Sequence, residues 1–261
     1  MISVCIPTYN GENYIEQQIL SILSQLKEND EIIISDDSST DKTLNIINSI
    51  NDKRIKVIHH LKNKQHFPFS YTTSNIENAL RYAKGDYIFL CDQDDVWLKN
   101  KIELFLQSFN KYNIILSDCS ITDYDLNILV HSKMKFENVH TGILRNLYKC
   151  GYLGCCMAFK KELLKYILPI PHTVPHDLWI GIIGKYYGNF GIIQQPTMLY
   201  RRHDKNVSST NNKLIKKQKK DATITMKKNE NSFSYRFSYR LYTLLHFLNR
   251  IITSSKNITN I

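Results

Sequence analysis

Three carboxylates fall within four residues, at Asp92, Asp94 and Asp95, directly after the apolar run Tyr87-Ile88-Phe89-Leu90. A short run of that kind reads as a buried strand, so negative charge is concentrated at a strand's carboxyl end. Left alone, such carboxylates repel and raise one another's pKa. A divalent cation relieves the repulsion, and hard oxygen donors suit magnesium or manganese. The alternative is a solvated acidic turn, because Asp is a frequent turn residue. Two more polar groups end apolar runs in the same way. Thr8-Tyr9-Asn10 follows Ser3-Val4-Cys5-Ile6-Pro7, and Asp36-Asp37 follows Glu31-Ile32-Ile33-Ile34-Ser35.

The elements between these groups alternate in type. Residues 14–26 carry helical periodicity through Ile15, Ile19, Ile22, Leu23 and Leu26. Ser38-Ser39-Thr40-Asp41 supplies turn and capping chemistry for a helix reaching residue 50. A third strand is predicted over 54–59, a polar loop over 61–73, and a helix over 74–83 that Gly85 stops before the acidic strand. Strands alternating with helices indicate an α/β sheet, parallel in this half. In such sheets ligands bind beyond the carboxyl ends of the strands, which places all three polar groups on one rim. Neither GxGxxG nor GxxxxGK[ST] follows the first strand, so dinucleotide and P-loop readings have no direct support.

The Pro7-Thr8-Tyr9-Asn10 turn, the Asp36–Asp41 turn and the segment from Gly85 through Asp92-Gln93-Asp94-Asp95 to Trp97 resemble family 2 glycosyltransferases with the GT-A fold. The resemblance spans residues 1–205 and is strongest over 1–105. It implies an α/β fold with a mixed central sheet and flanking helices. It also implies that Pro7, Thr8, Tyr9 and Asn10 line the nucleoside pocket, and that Asp36 or Asp37 hydrogen-bonds the base. Asp92, with Gln93, would contact the donor, while Asp92 and Asp94 would hold Mn or Mg against the diphosphate. A departing nucleoside diphosphate gains negative charge, which a metal ion stabilises.

The second half is less regular. A helix is predicted over 99–109, a strand over 114–118, and a short hairpin with an acceptor-side loop over 119–142. Small residues at 154–156 allow close backbone approach to a ligand, or serve packing. Pro169, Pro171 and Pro175 deliver His176-Asp177-Leu178-Trp179 to the start of a helix ending near 187. A first-turn carboxylate is commonly a cap or dipole partner. The resemblance makes Asp177 the catalytic base of an inverting transfer, with His176 where many relatives carry Glu, as in rhamnosyltransferase-like members. It also makes His203 a further metal ligand. Arg201, Arg202 and Lys205 either neutralise the diphosphate or begin the basic tail.

The net charge of +10 is unevenly placed: residues 201–261 hold 14 Lys and Arg against 3 Asp and Glu, and the preceding 200 are near neutral. The domains predicted are thus a catalytic domain over 1–209, divided into a nucleotide-binding half (1–105) and an acceptor-side half (106–209), and a basic extension over 210–261. In the extension, 213–228 is Lys-rich. Phe233, Phe237, Leu241, Leu244, Leu245, Leu248 and Ile252 share one helical face, which binds a membrane surface or packs on the domain. No run of about 18 apolar residues predicts a spanning helix. The N-terminus lacks the marks of a secretory signal, and six cysteines without a CxxC pair read as reduced thiols. The expected enzyme is cytoplasmic, peripheral on the inner face of the membrane, and not a nucleic-acid binder. It would transfer a sugar from a nucleoside-diphosphate donor to a lipid-linked glycan acceptor. The alternatives are a nucleotidyltransferase acting on sugar phosphates, or a non-catalytic binder of anionic lipid or nucleic acid.

Overall fold

The computed structural model of the chain describes residues 1–61, 67–203, 206 and 233–258. Its centre is a nine-stranded mixed sheet built from β1 (Ile2–Thr8), β2 (Glu31–Asp36), β3 (Ile55–His59), β4 (Tyr87–Leu90), β5 (Val96–Trp97), β6 (Ile114–Thr122), β7 (Ile128–Val130), β8 (Met157–Lys160) and β9 (Phe190–Arg201). The strands lie in the order β3-β2-β1-β4-β8-β6-β9-β5, and β7 pairs with β6. The first four are parallel, as the alternation predicted. Strand β8 then runs antiparallel to β4 and β6, which makes the sheet mixed. Every residue of β1, β2 and β6 is buried. Continuous apolar runs are what a sheet covered on both faces requires.

The covering helices include α1 (Ile15–Leu23), α2 (Thr43–Ile50), α3 (Pro68–Tyr82) and α4 (Lys101–Ser108). On the other half lie α5 (Lys133–Glu137), α6 (Ile143–Tyr148), α7 (Leu164–Ile167) and α8 (His176–Tyr187). Helix α3 starts six residues before the predicted residue 74. Its first turns, Ser-Tyr-Thr-Thr, have poor helix propensity. Tertiary hydrogen bonds override it: Ser70 Oγ donates to the His172 carbonyl and Thr73 Oγ1 to the Val174 carbonyl at 3.2 Å, and Pro68 stands at the helix start where its missing N–H costs nothing. Gly85 does more than stop a helix. A Cβ there would lie 2.6 Å from the Ser3 nitrogen, so only glycine lets the chain enter β4 this close to β1.

Topology fixes where a ligand can enter. From β1 the chain moves outward to β2 and β3, then crosses back to place β4 on the other side of β1. The loops after β1 and β4 therefore diverge, and the crevice between them is a topological switch point. A second register rule closes the rim. Strand β5 pairs antiparallel with β9 through Val96↔Leu199 and Trp97↔Met198. That pairing carries the end of β9 back over the loop before β5, where Arg201 N donates to Asp95 Oδ1 at 3.0 Å.

A last helix, α9 (Phe233–Ile258), packs on α6 and α8. No helix among the described residues is long and apolar enough to cross a membrane. The six cysteines are unpaired, five of them buried.

Candidate active site

The switch-point crevice is walled by the first two polar groups and the acidic loop. Gln93 clamps the Tyr9 backbone from both sides, accepting from Tyr9 N at 3.0 Å and donating to the Tyr9 carbonyl at 3.1 Å. It thus ties the β4 loop to the β1 loop rather than projecting as a donor ligand. Asn10, in the left-handed region with φ 48°, accepts from Thr40 N at 2.8 Å and its own N donates to Ser39 Oγ at 2.9 Å. That joins the β1 and β2 loops. Pro7 lies within buried β1, and Thr8 is buried with its hydroxyl oxygen lacking a hydrogen-bond partner. Tyr9 is half exposed at the mouth.

The structure separates the Asp36-Asp37 pair. Asp36 uses both carboxylate oxygens on Ser39, from the backbone N at 2.9 Å and the hydroxyl at 2.5 Å, closing its own turn. Asp37 is oriented by a hydrogen-bond chain: its Oδ1 lies 2.8 Å from His60 Nδ1, and His60 Nε2 lies 2.9 Å from Ser74 Oγ. With Asp37 ionised, that chain places the His60 proton on Nδ1 and lets Ser74 donate to Nε2. Asp36 thus closes its own turn, while Asp37 is tied to His60, after β3, and through it to α3.

At the acidic loop, Asp94 Oδ2 lies 2.7 Å from His203 Nε2, bringing together two predicted ligands 109 residues apart in sequence. Asn206 Nδ2 donates to the same Asp94 oxygen at 3.0 Å, and His203 N donates to Asn206 Oδ1 at 2.6 Å. The imidazole is stacked on Tyr14, with ring centroids 4.5 Å apart. Asp92 falls in a different grouping: among the described residues, one ligand atom each from Asp92, Asp95 and Cys155 lie within 4.8 Å of one another. The Asp92 carboxyl is pushed up to about 8, by burial first, then by the charges of Asp94 and Asp177. Asp95 is driven well above the usual carboxylate range by burial and then by the charges of Asp94 and Asp92. Its Oδ2 has no hydrogen-bond partner, while Oδ1 accepts from Arg201 N at 3.0 Å. Oxygen donors that repel one another, an adjoining imidazole and an orphaned buried oxygen fit a hard divalent cation.

Arg201 does not project into the mouth. Only 5% exposed, it donates through Nε to the Asp94 carbonyl at 3.0 Å, through one terminal nitrogen to the Tyr124 carbonyl at 2.7 Å and through the other to Gln17 Oε1 at 2.5 Å. It is a strut under the acidic loop. Arg202 donates to the Tyr200 hydroxyl at 3.1 Å. Asp204 and Lys205 lie outside the described residues.

Asp177 stands in the first turn of α8 with its side chain partly exposed, 3.2 Å from His176 Nε2. A Cβ on Gly154 would lie 3.8 Å from the Asp177 Cγ, and Cys155, next in the chain, groups with Asp92 and Asp95, so the head of α8 adjoins the acidic loop. Gly154 makes room for this approach: a Cβ there would meet His176 Nε2 at 2.8 Å. At Gly154 the small residue thus serves packing against the head of α8. Buried Lys101 donates to the Cys155 carbonyl at 2.9 Å and fixes that wall.

Several of these groups escape a reading of the sequence. Tyr14, Gln17, His60, Lys101, Cys155 and Asn206 act through tertiary contacts. Asn206 carried a signal, lying in the same stretch as Arg201 and His203, and Cys155 lay among the small residues at 154–156.

Residues 3–168 match the family described as glycosyl transferase family 2. The chain belongs to glycosyltransferase family 2. Within the family, it is 28% identical over 224 residues to WfgD of Escherichia coli, a UDP-Glc:α-D-GlcNAc-diphosphoundecaprenol β-1,3-glucosyltransferase, covering 84% of this chain and 83% of that enzyme. It is 29% identical over 226 residues to the dTDP-rhamnosyl transferase RfbG of Shigella flexneri, covering 78% and 73%. Among solved structures, TarS of S. aureus in complex with UDP-GlcNAc superposes with a TM-score of 0.62 at 19% identity, over 80% of this chain and 61% of that one. The mannosyltransferase PcManGT of Pyrobaculum calidifontis, in complex with GDP-Man and Mn2+, gives 0.56 at 20%, over 79% and 58%. These likenesses show the GT-A fold. Family membership favours the glycosyltransferase reading over the nucleotidyltransferase one.

Proposed function

We propose that the chain is an inverting, metal-dependent transferase that moves a sugar from a nucleoside diphosphate to a hydroxyl of a lipid-linked cell-surface glycan. The observation carrying this reading is that the head of α8, which bears Asp177, adjoins through Gly154 and Cys155 the acidic loop of Asp92, Asp94 and Asp95, on which His203 closes. The acceptor oxygen attacks the anomeric carbon and the bond from that carbon to the diphosphate oxygen breaks. The bond's electrons leave with the diphosphate, and the acceptor proton passes to Asp177, a group able to act as general base within hydrogen-bond reach. Asp92, Asp94 and His203 would hold Mn2+ or Mg2+, which supplies charge neutralisation for the diphosphate. Asp37, fixed by His60, would accept a hydrogen bond from the base, with Thr8 and Tyr9 beside the nucleoside. Residues 1–105 then form the donor half and 106–209 the acceptor half.

The donor and acceptor classes are supported by WfgD, which acts on a diphosphoundecaprenol-linked sugar, and by the nucleotide sugars bound to TarS and PcManGT. A lipid-linked acceptor lies at a bilayer, and the basic extension would keep the enzyme peripheral there, on the cytoplasmic side. The test is Asp177→Asn, which keeps the side chain's shape and removes its basicity. Donor binding should survive while transfer falls by roughly 100-fold or more. Turnover near that of the wild type would make Asp177 a helix cap and remove the base from the proposal.

A further inference from the structure

Helix α9 docks on the domain with one stripe and shows another to water. Thr243 and Phe247 are buried, Phe247 edge-on to Tyr186 at 5.3 Å between ring centroids. Arg250 donates to the carbonyls of Leu168 and Pro169, both at 2.8 Å. Positions 243, 247 and 250 recur at helical spacing and define the docked stripe. Leu241, Leu244, Leu245 and Leu248 define a second one, turned away from the first at 100° per residue, and all four are exposed. The leucine face for which the sequence left membrane contact or packing open is thus not the docked one. The side chains of Phe233 and Phe237 lie outside the described residues. Intramolecular packing has used the docked stripe and leaves the leucines unexplained.

A second helix joins this surface. The Arg240 guanidinium lies over the Tyr148 ring, 5.5 Å from its centroid, which holds α6 alongside. From α6, Leu144 and Tyr148 are 81% and 76% exposed. Neither α6 nor α9 contains an acidic residue, and Arg145, Lys149 and Arg240 accompany the apolar side chains. The segment leading into α9, 213–228, adds seven Lys against one Asp.

We infer that this two-helix face docks on an anionic lipid bilayer. Charge selects the occupant. A second copy of the chain would set two basic faces against each other, whereas an anionic leaflet attracts them, by about 1 kcal/mol for each Lys or Arg near the surface. A helix too polar to span, with a leucine face beside basic side chains, lies in the interfacial plane. Because α9 packs on α8, this docking sets the half of the domain bearing Asp177 at the lipid surface. The inference deepens the proposed function, resting on it for the acceptor's lipid carrier, but its own test needs no glycosyl transfer.

The experiment is co-sedimentation of the 261-residue chain with vesicles of phosphatidylglycerol and phosphatidylcholine, beside vesicles of phosphatidylcholine alone. The wild type should bind the anionic vesicles in a salt-sensitive way and the neutral ones weakly. The triple variant Leu241→Ser, Leu245→Ser, Leu248→Ser should lose roughly tenfold or more in affinity, and Leu144→Ser with Tyr148→Ser should lose affinity independently. The four substituted leucines are exposed and lie off the docked stripe, so unchanged melting temperatures should accompany the loss at those positions. Unchanged binding by both variants would overturn the face and leave the Lys-rich segment as the sole attachment. A wild-type dimer in sedimentation velocity that the triple variant dissolves would overturn it in favour of a second copy. Donor hydrolysis, measured in solution without vesicles, separates the two readings: vesicle binding without hydrolysis sinks the proposed function and spares the docking face, and the converse sinks the face alone.

Discussion

Arg201 offers the sharpest separation between what the sequence suggests and what the structure does. A basic residue before His203 invites a role on the donor diphosphate, because guanidinium suits phosphate oxygens. In the fold its three guanidinium nitrogens are spent on the Asp94 carbonyl, the Tyr124 carbonyl and Gln17 Oε1, with the charge 5.3 Å from the Tyr14 ring centroid. Arg201→Met keeps the aliphatic stem and leaves three acceptors without their donor. Hydrogen bonds from a charged donor contribute about 1.5–3 kcal/mol each, and the acceptors relax only in part. The expected loss is therefore about 3–5 kcal/mol, or roughly 10 °C in melting temperature for a chain of this size. Arg201→Lys should recover little, since one ammonium cannot span three divergent partners. Thermal unfolding and donor KM are measured together. A melting temperature unchanged from the wild type, with KM for the donor raised, would refute the strut and return Arg201 to the diphosphate.

Two further outcomes follow from the same geometry. Burial and the charges of Asp94 and Asp177 push the Asp92 carboxyl up to about 8, so below that pH an entering ion would have to displace its proton. Mn2+ affinity by calorimetry should rise about tenfold per pH unit up to about pH 8 and level off above it. Asp94→Asn, by removing a neighbouring charge, should move that bend to lower pH; a flat profile from pH 6 to 8 in the wild type would exclude Asp92 from the ion's ligands, and full transfer in excess chelator would exclude the ion. Phe247→Ala opens a cavity beneath α9 and should cost about 3 kcal/mol, read as early protease cleavage in the 233–258 segment; resistance equal to the wild type would show that α9 does not depend on that contact.

Much of the donor half was legible because its strands are buried on both faces and its polar groups stop them abruptly. Runs such as Glu31-Ile-Ile-Ile-Ser35 and Tyr87–Leu90 appear as β2 and β4 at those places. The start of α3 was not legible, since Thr72 and Thr73 belong to a helix only when hydroxyls such as that of Thr73 find carbonyls a hundred residues away. The division of labour between Asp36 and Asp37 was equally hidden. Identical side chains next to each other differ because Ser39 consumes one and His60 orients the other.

The acidic loop shows where one-dimensional reasoning stops. That Asp92, Asp94 and Asp95 crowd together is a local fact, and local repulsion is enough to suggest a cation. That His203 meets Asp94 rather than solvent depends on the two-residue strand β5, whose antiparallel register with β9 carries residues 201–203 back over the loop. Arg201 then pins the result by donating its backbone N to Asp95 and its side chain to the Asp94 carbonyl. The register brings His203 and the acidic loop together, and the buried arginine keeps the crowded carboxyl groups from relaxing apart. A loop assembled this way keeps carboxyl groups crowded at a cost in stability, which is why disturbing Arg201 should loosen the loop and destabilise the fold together.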